Sequence, residues 1–154
     1  MNAEIINPFL EATMNVLTTM AQIQAKPGRP YLKEDSQARG DVTGMIGLAG
    51  DQARGSLAIT FTKAAILKIA SNMFGEEITQ MDPSIADVVG EITNMVSGGA
   101  KSKLSEKGYK FAMAIPSTIV GENHYITHNT KGPIIVVPFD TDAGNFYIEV
   151  CFEA

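Results

Sequence analysis

The chain has 154 residues, a net charge of −5 and 45% hydrophobic residues, enough to close one ordinary core with the apolar content of a globular protein. No apolar run is long enough to span a bilayer, and scattered lysines on an acidic chain leave no footprint for nucleic acid. The single cysteine, Cys151, excludes an internal disulfide and a thiolate cluster for zinc or iron–sulfur, so a reduced, cytoplasmic setting is expected. The start Met1-Asn2-Ala3-Glu4 carries neither a basic region nor a cleavage signal, and export is not expected.

In chain order, the spacing predicts a first helix from Ala3 or Pro8 to about Ile23, with Phe9, Met14, Val16, Leu17 and Met20 among its apolar positions. Pro27-Gly28-Arg29-Pro30 breaks it. Alternation over 42–48 and 55–61 predicts two strands, joined as an antiparallel hairpin by the short link 50–55. Gly44, Gly47, Gly50 and Gly55 read as turn and bulge glycines, because no Gly-Lys-Ser/Thr follows to make a phosphate loop. Thr62 can cap a helix through about Met73, with Ala65, Ile66, Ile69 and Ala70 inward, and Phe74-Gly75 stops it.

Asp82 suits an N-cap and Pro83 the first helical position of a long helix ending near Lys107-Gly108. Ile85, Val88, Val89, Ile92, Met95 and Val96 recur at helical spacing and face a core. Asp87, Glu91, Asn94, Gly98 and Lys101 fall on the opposite side, toward water. Glu91 and Asn94, three apart, present a carboxylate beside a carboxamide. Gly98 and Gly99 cost helix stability, about 1 kcal/mol each, and leave the kind of bare surface that close docking of a macromolecule requires.

Three further strands are predicted, Ala112–Val120, Pro133–Phe139 and Asn145–Phe152, the last two joined through 141–144. The apolar runs 112–120 and 134–137 read as buried strands. Runs 134–139 and 147–152 are rich in strand formers and would invite pairing at an exposed edge, although Pro133 and Pro138 oppose it. The order helix, strands, two helices, strands predicts one α+β domain over residues 1–154, an αβ sandwich of a mostly antiparallel sheet with long helices packed on it.

His124 and His128 could bind a metal on a helix. The intervening Tyr125-Ile126-Thr127 favours strand or loop, where residues four apart lie roughly 13 Å from each other, too far to share a zinc ion, and they read as loop histidines. Ser97 and Ser102 have no activating histidine in context, and Cys151 sits in an apolar strand pattern.

The segment Glu91-Ile92-Thr93-Asn94, followed by Met95-Val96-Ser97-Gly98-Gly99-Ala100, resembles the E-x-x-N helix of the CheC/CheX/FliY family of chemotaxis phosphatases. Residues 6–13 with Asn15-Val16-Leu17 are similar to that family's first helix, and 44–50 with 55–61 to its glycine-punctuated hairpin. Glu11 and Asn15 are spaced by four, so the chain holds one E-x-x-N motif, as CheX-type members do. The resemblance implies hydrolysis of an aspartyl phosphate on a phosphorylated CheY-type response regulator. In it Asn94 would orient the water and Glu91 would pair with the regulator's active-site lysine, while Asp87, Gly98 and Lys101 flank them as docking positions. No cofactor is expected on this chain, Mg2+ is expected on the regulator, and the family implies a homodimer. The alternative is a non-catalytic signalling or flagellar-switch-like interaction domain of the same fold, which would be expected to lose Asn94 first.

Overall fold

Alternating residues in four long strands build the platform on which everything else rests. The computed structural model describes residues 3–51, 53–122, 124–128 and 130–153. Met1 and Asn2, at the start judged for export, and Gln52, in the predicted hairpin link, lie outside them. The elements in order are α1 (Ala3–Ala21), β1 (Lys26–Pro27), β2 (Tyr31–Leu32), β3 (Val42–Ala49), β4 (Arg54–Phe61), α2 (Lys63–Phe74), α3 (Pro83–Glu106), β5 (Ala112–Met113), β6 (Ser117–Val120), β7 (Ile134–Thr141) and β8 (Gly144–Glu153). The sheet order is β1–β7–β8–β4–β3–β5, with β2 also on β7 and β6 also on β3. Every pairing is antiparallel. The α+β architecture read from the sequence is the one observed.

One face of the sheet carries the core. Val42, Ile46, Leu57, Ile59, Phe61, Phe146, Ile148 and Val150 are buried there with Phe9 and Leu17 of α1, Ile66 and Ile69 of α2, and Val89, Ile92 and Val96 of α3. Aromatic rings tie the layers: Phe139 stacks on Phe146 at 4.8 Å, and Phe9 meets Phe152 at 5.9 Å. Burying each such side chain contributes about 1.5–3 kcal/mol. Gly44 of β3 lies directly under α3, where a Cβ would overlap the Thr93 hydroxyl. The close approach of helix to sheet therefore depends on that glycine.

Several expectations need correction. Gly44, Gly47 and Gly55 form no bulge, because β3 and β4 pair without interruption from Val42↔Phe61 to Ala49↔Arg54. Gly44 and Gly55 are close-approach positions instead, the latter under the Phe152 ring. The strand predicted at 112–120 is neither continuous nor buried: it breaks into β5 and β6 around Pro116, with Ile115 90% and Val120 56% exposed. Runs 134–139 and 147–152 are interior to the sheet, since β7 lies between β8 and β1/β2, and β8 between β7 and β4. The two edges of the sheet belong instead to β1 and β2 on one side and to β5 and β6 on the other. Pro8 sits inside α1, not at its start. Thr62 is the N-cap residue of α2, but its hydroxyl donates to Asn145 O at 2.7 Å, and the Asp41 carboxylate caps the helix by accepting from Lys63 N at 2.7 Å.

Candidate functional site

α3 begins as its sequence dictates. Asp82 accepts from Ser84 N at 2.9 Å, and Pro83 fills the first turn, where its missing N–H costs nothing. Ile85, Val88, Val89, Ile92 and Val96 are buried and Met95 partly so, which fixes the rotation of the helix about its axis. Asp87, Glu91, Asn94 and Lys101 are consequently exposed, and Gly98 is half-buried. At 100° per residue the five lie within an arc of about 80°. None of the four exposed side chains makes a hydrogen bond or ion pair among the described residues. Glu91 and Asn94 thus stand side by side on a rigid, packed helix with their polar groups turned to water.

The two adjacent glycines do different work. A Cβ on Gly98 would meet nothing within 4 Å, so this position opens the stripe. A Cβ on Gly99 would lie 3.1 Å from the Ala12 Cβ, so Gly99 belongs to the contact between α3 and α1 and not to the bare surface expected of it. Beside Gly98 lies a hollow of about 610 Å³, lined by Gly98, Lys101, Ser102, Ser105, Glu106 and Met113. A larger cavity, about 720 Å³, lies between the ends of α1 and α2 and the β7–β8 turn and shares no residue with the stripe.

The predicted loop histidines do lie in irregular backbone, but they are pegs on the outer face of the sheet. His124 Nε2 is 2.6 Å from Thr43 Oγ1, and its Nδ1 is 2.6 Å from Gly121 O. His128 Nδ1 is 2.5 Å from Ser56 Oγ, and its Nε2 is 3.1 Å from Glu149 Oε1. Lys33 Nζ donates to Glu149 Oε2 at 2.8 Å, and the Lys33, His128 and Glu149 side chains are each no more than 3% exposed. Burial pushes the Glu149 carboxyl up, but hydrogen bonds from His128 and Lys33 and the lysine charge outweigh it and hold the group below its ordinary range. This network is scarcely legible in the sequence. Its one legible sign is Glu149 itself, a carboxylate inside an otherwise apolar strand pattern. Cys151 is buried, as its pattern suggested, and Ser97 is buried away from the stripe.

No described helix is long and apolar enough to cross a membrane. Residues 42–140 match the family model for the chemotaxis phosphatase CheX, well over half of the chain. The chain is 27% identical over 139 residues to the CheY-P phosphatase CheX of Thermotoga maritima, covering 90% of this chain and 88% of that one. It superposes with a TM-score of 0.92 on the chemotaxis protein CheX of Vibrio vulnificus, with 50% identity over 98% of this chain and 100% of that one. It also superposes with a TM-score of 0.82 on the CheX–CheY–BeF3–Mg2+ complex of Borrelia burgdorferi, with 29% identity over 97% and 98% of the two chains. With the helix, the sheet and the family model in agreement, this chain belongs to the CheX family of chemotaxis phosphatases.

Proposed function

We propose that this chain hydrolyses the aspartyl phosphate of a phosphorylated CheY-type receiver, with Asn94 and Glu91 as the residues that act on it. The observation that carries the reading is the unpaired Glu91/Asn94 pair on the exposed face of α3 in a member of this family.

The chemistry follows from the functional groups. A carboxamide has no protonation state near neutrality that would make it a base, but it accepts a hydrogen bond from one side and donates from the other. Asn94 holds a water in line behind phosphorus, so its contribution is orientation. The water oxygen forms the new P–O bond as the bond from phosphorus to the receiver's aspartate oxygen breaks. The aspartate leaves as carboxylate, and the water proton departs with inorganic phosphate. Glu91 pairs with a cationic side chain of the receiver and sets the register of the helix on it; Asp87, Gly98 and Lys101 flank that contact. Mg2+ belongs to the receiver and supplies charge to the transferred phosphoryl group. The Borrelia relative, solved with CheY, BeF3 and Mg2+, supports this division of labour.

We further propose that the chain is a cytoplasmic, single CheX-like domain and a homodimer joined by continuation of the sheet. Of the edge strands β1, β2, β5 and β6, β6 is the longest, with four residues, and is the one placed for such pairing. The stripe on α3 stays open in that arrangement, so each subunit carries an independent site. The experiment is multiple-turnover loss of phosphate from a phosphorylated receiver at substoichiometric protein. Stoichiometric binding without turnover would select the interaction-domain alternative.

A further inference from the structure

We propose that Gly44 and Thr93 are positioning residues for the reaction: seated one against the other, they set the height at which α3 carries Asn94 relative to the elements beside it. The inference rests on the phosphatase reading and deepens it, by naming what holds the water-orienting residue in place. Its basis is a notch in the sheet. β3 turns Val42, Gly44, Ile46 and Leu48 toward the helices, and in that row only the glycine lacks a large buried side chain. Thr93, which precedes Asn94 in the motif and is wholly buried, fills the gap. Its hydroxyl donates to Val89 O at 2.7 Å, one turn back along α3, so it needs no partner from the sheet. The contact with β3 is therefore one of shape alone. A Cβ on Gly44 would overlap that hydroxyl, and would stand 3.1 Å from Thr93 Cβ and 3.0 Å from Val89 Cγ1, where ordinary contact begins at 3.4 Å. Turning Thr93 about χ1 moves the hydroxyl but not the Cβ. The sheet is held on both sides here, since Gly44 pairs with Ile59 of β4 and with Thr118 of β6. A side chain at position 44 consequently lifts the helix.

Height matters because the partner is wider than the helix. A helix with its side chains is about 10 Å across. A specific protein contact takes about 800 Å² from each side, a disc reaching about 16 Å from its centre. A receiver seated on the stripe therefore overhangs α3 and rests on its neighbours as well. On one flank is α1, which meets α3 at Gly99. On the other is β6, whose Thr118 hydroxyl lies 3.4 Å from Ala86 O of α3. All of these surfaces together place the phosphorus, whereas the water is held by Asn94 alone. Lifting α3 relative to its flanks changes the distance from the carboxamide to phosphorus. Glu91 has a longer side chain with more rotatable bonds, so it follows its cationic partner and keeps the pair. Orientation of the water tolerates far less displacement than an ion pair does.

The test compares Gly44→Ala, Thr93→Ala and the double variant. Turnover is measured on a phosphorylated CheY-type receiver, and affinity on the same receiver activated with beryllofluoride and Mg2+. One added methyl group lowers the melting temperature without unfolding a chain of this size, and the kinetics are taken below it. Gly44→Ala should lose about tenfold in kcat, while affinity stays within about threefold, the split expected when an interaction is used only in the transition state. The double variant removes the hydroxyl that the new methyl group strikes, and its kcat should return to within about threefold of Thr93→Ala. A merely structural role would lower the melting temperature of Gly44→Ala and leave kcat per folded molecule unchanged, and that result overturns the proposal. A double variant as slow as Gly44→Ala overturns it too, since the two residues would then not act through their contact. Affinity and turnover lost in proportion also overturn it, because docking and not the water position would have failed. A wild-type protein that neither binds nor dephosphorylates any CheY-type receiver overturns the phosphatase reading, and the positioning role with it.

Discussion

Gly98 and Gly99 are neighbours in sequence, yet the structure predicts opposite outcomes when each is replaced by leucine. At Gly98 a Cβ meets nothing within 4 Å. Removing a glycine from an exposed helix interior stabilises by about 0.8 kcal/mol, which for a chain of this size raises the melting temperature by about 2–3 °C. The same side chain projects from the stripe one turn from Asn94 and, in the proposed docking, should hold the receiver off the water position. A misplacement of about 1 Å costs about a hundredfold in rate, so kcat/KM should fall at least that far. At Gly99 the new side chain would run into Ala12 of α1, whose Cβ is 3.1 Å from the first atom added. Overpacking of this kind costs about 1–3 kcal/mol, which outweighs the helix-propensity gain. Gly99→Leu should melt lower, and where it stays folded it should keep turnover per folded molecule. Thermal unfolding and phosphate release on both variants decide the matter. A Gly98→Leu protein that is stable and fully active would refute the placement of Gly98 at the docking surface.

Other expectations follow from the same geometry. Glu149→Ala leaves the Lys33 ammonium buried without its partner and should cost about 3–5 kcal/mol in denaturant unfolding; a loss below about 1 kcal/mol would mean the network is solvated. Because the folded-state Glu149 carboxyl titrates below its ordinary value, its contribution is fully present above about pH 4.5 and disappears as pH falls through the lowered folded value. The stability gap between wild type and Glu149→Gln should therefore narrow only on acidification below that range; a gap that narrows near neutrality would contradict the assignment. Gly44→Ala places a methyl group against Thr93 and Val89 under α3 and should destabilise by about 1–3 kcal/mol, measured as a lower melting temperature. Glu91→Ala should weaken receiver binding and turnover together, read as a higher dissociation constant for a beryllofluoride-activated receiver.

How much of this was legible in the sequence depends on the distance over which each feature is determined. The site helix could be read almost to the residue, because Asp82, Pro83, the 3.6-residue apolar period and Gly108 are all local signals. The two hairpins were legible for the same reason, as was the assignment of Glu91 and Asn94 to the exposed face. The outer-face network was not: Lys33 and Glu149 are 116 residues apart and Ser56 and His128 72, and only the sheet register brings them together. β1 and β2 are two residues each, too short for any period to show, and β1 ends in a proline that reads as a breaker. The split of 112–120 is a tertiary effect as well, since its apolar composition suits a buried strand while its place at the sheet edge leaves Ile115 in solvent. Gly98 and Gly99 look identical in the sequence; only the packing of α1 separates them.

In the proposed reaction Asn94 orients the attacking water while Glu91 holds the partner, and a single variant separates these roles. Asn94→Ala, mixed with a phosphorylated CheY-type receiver, should lose accelerated phosphate release while binding the beryllofluoride-activated receiver with wild-type affinity, because its contribution belongs to the transition state. An Asn94→Ala protein that releases phosphate at the wild-type rate would contradict the water-orienting role of Asn94.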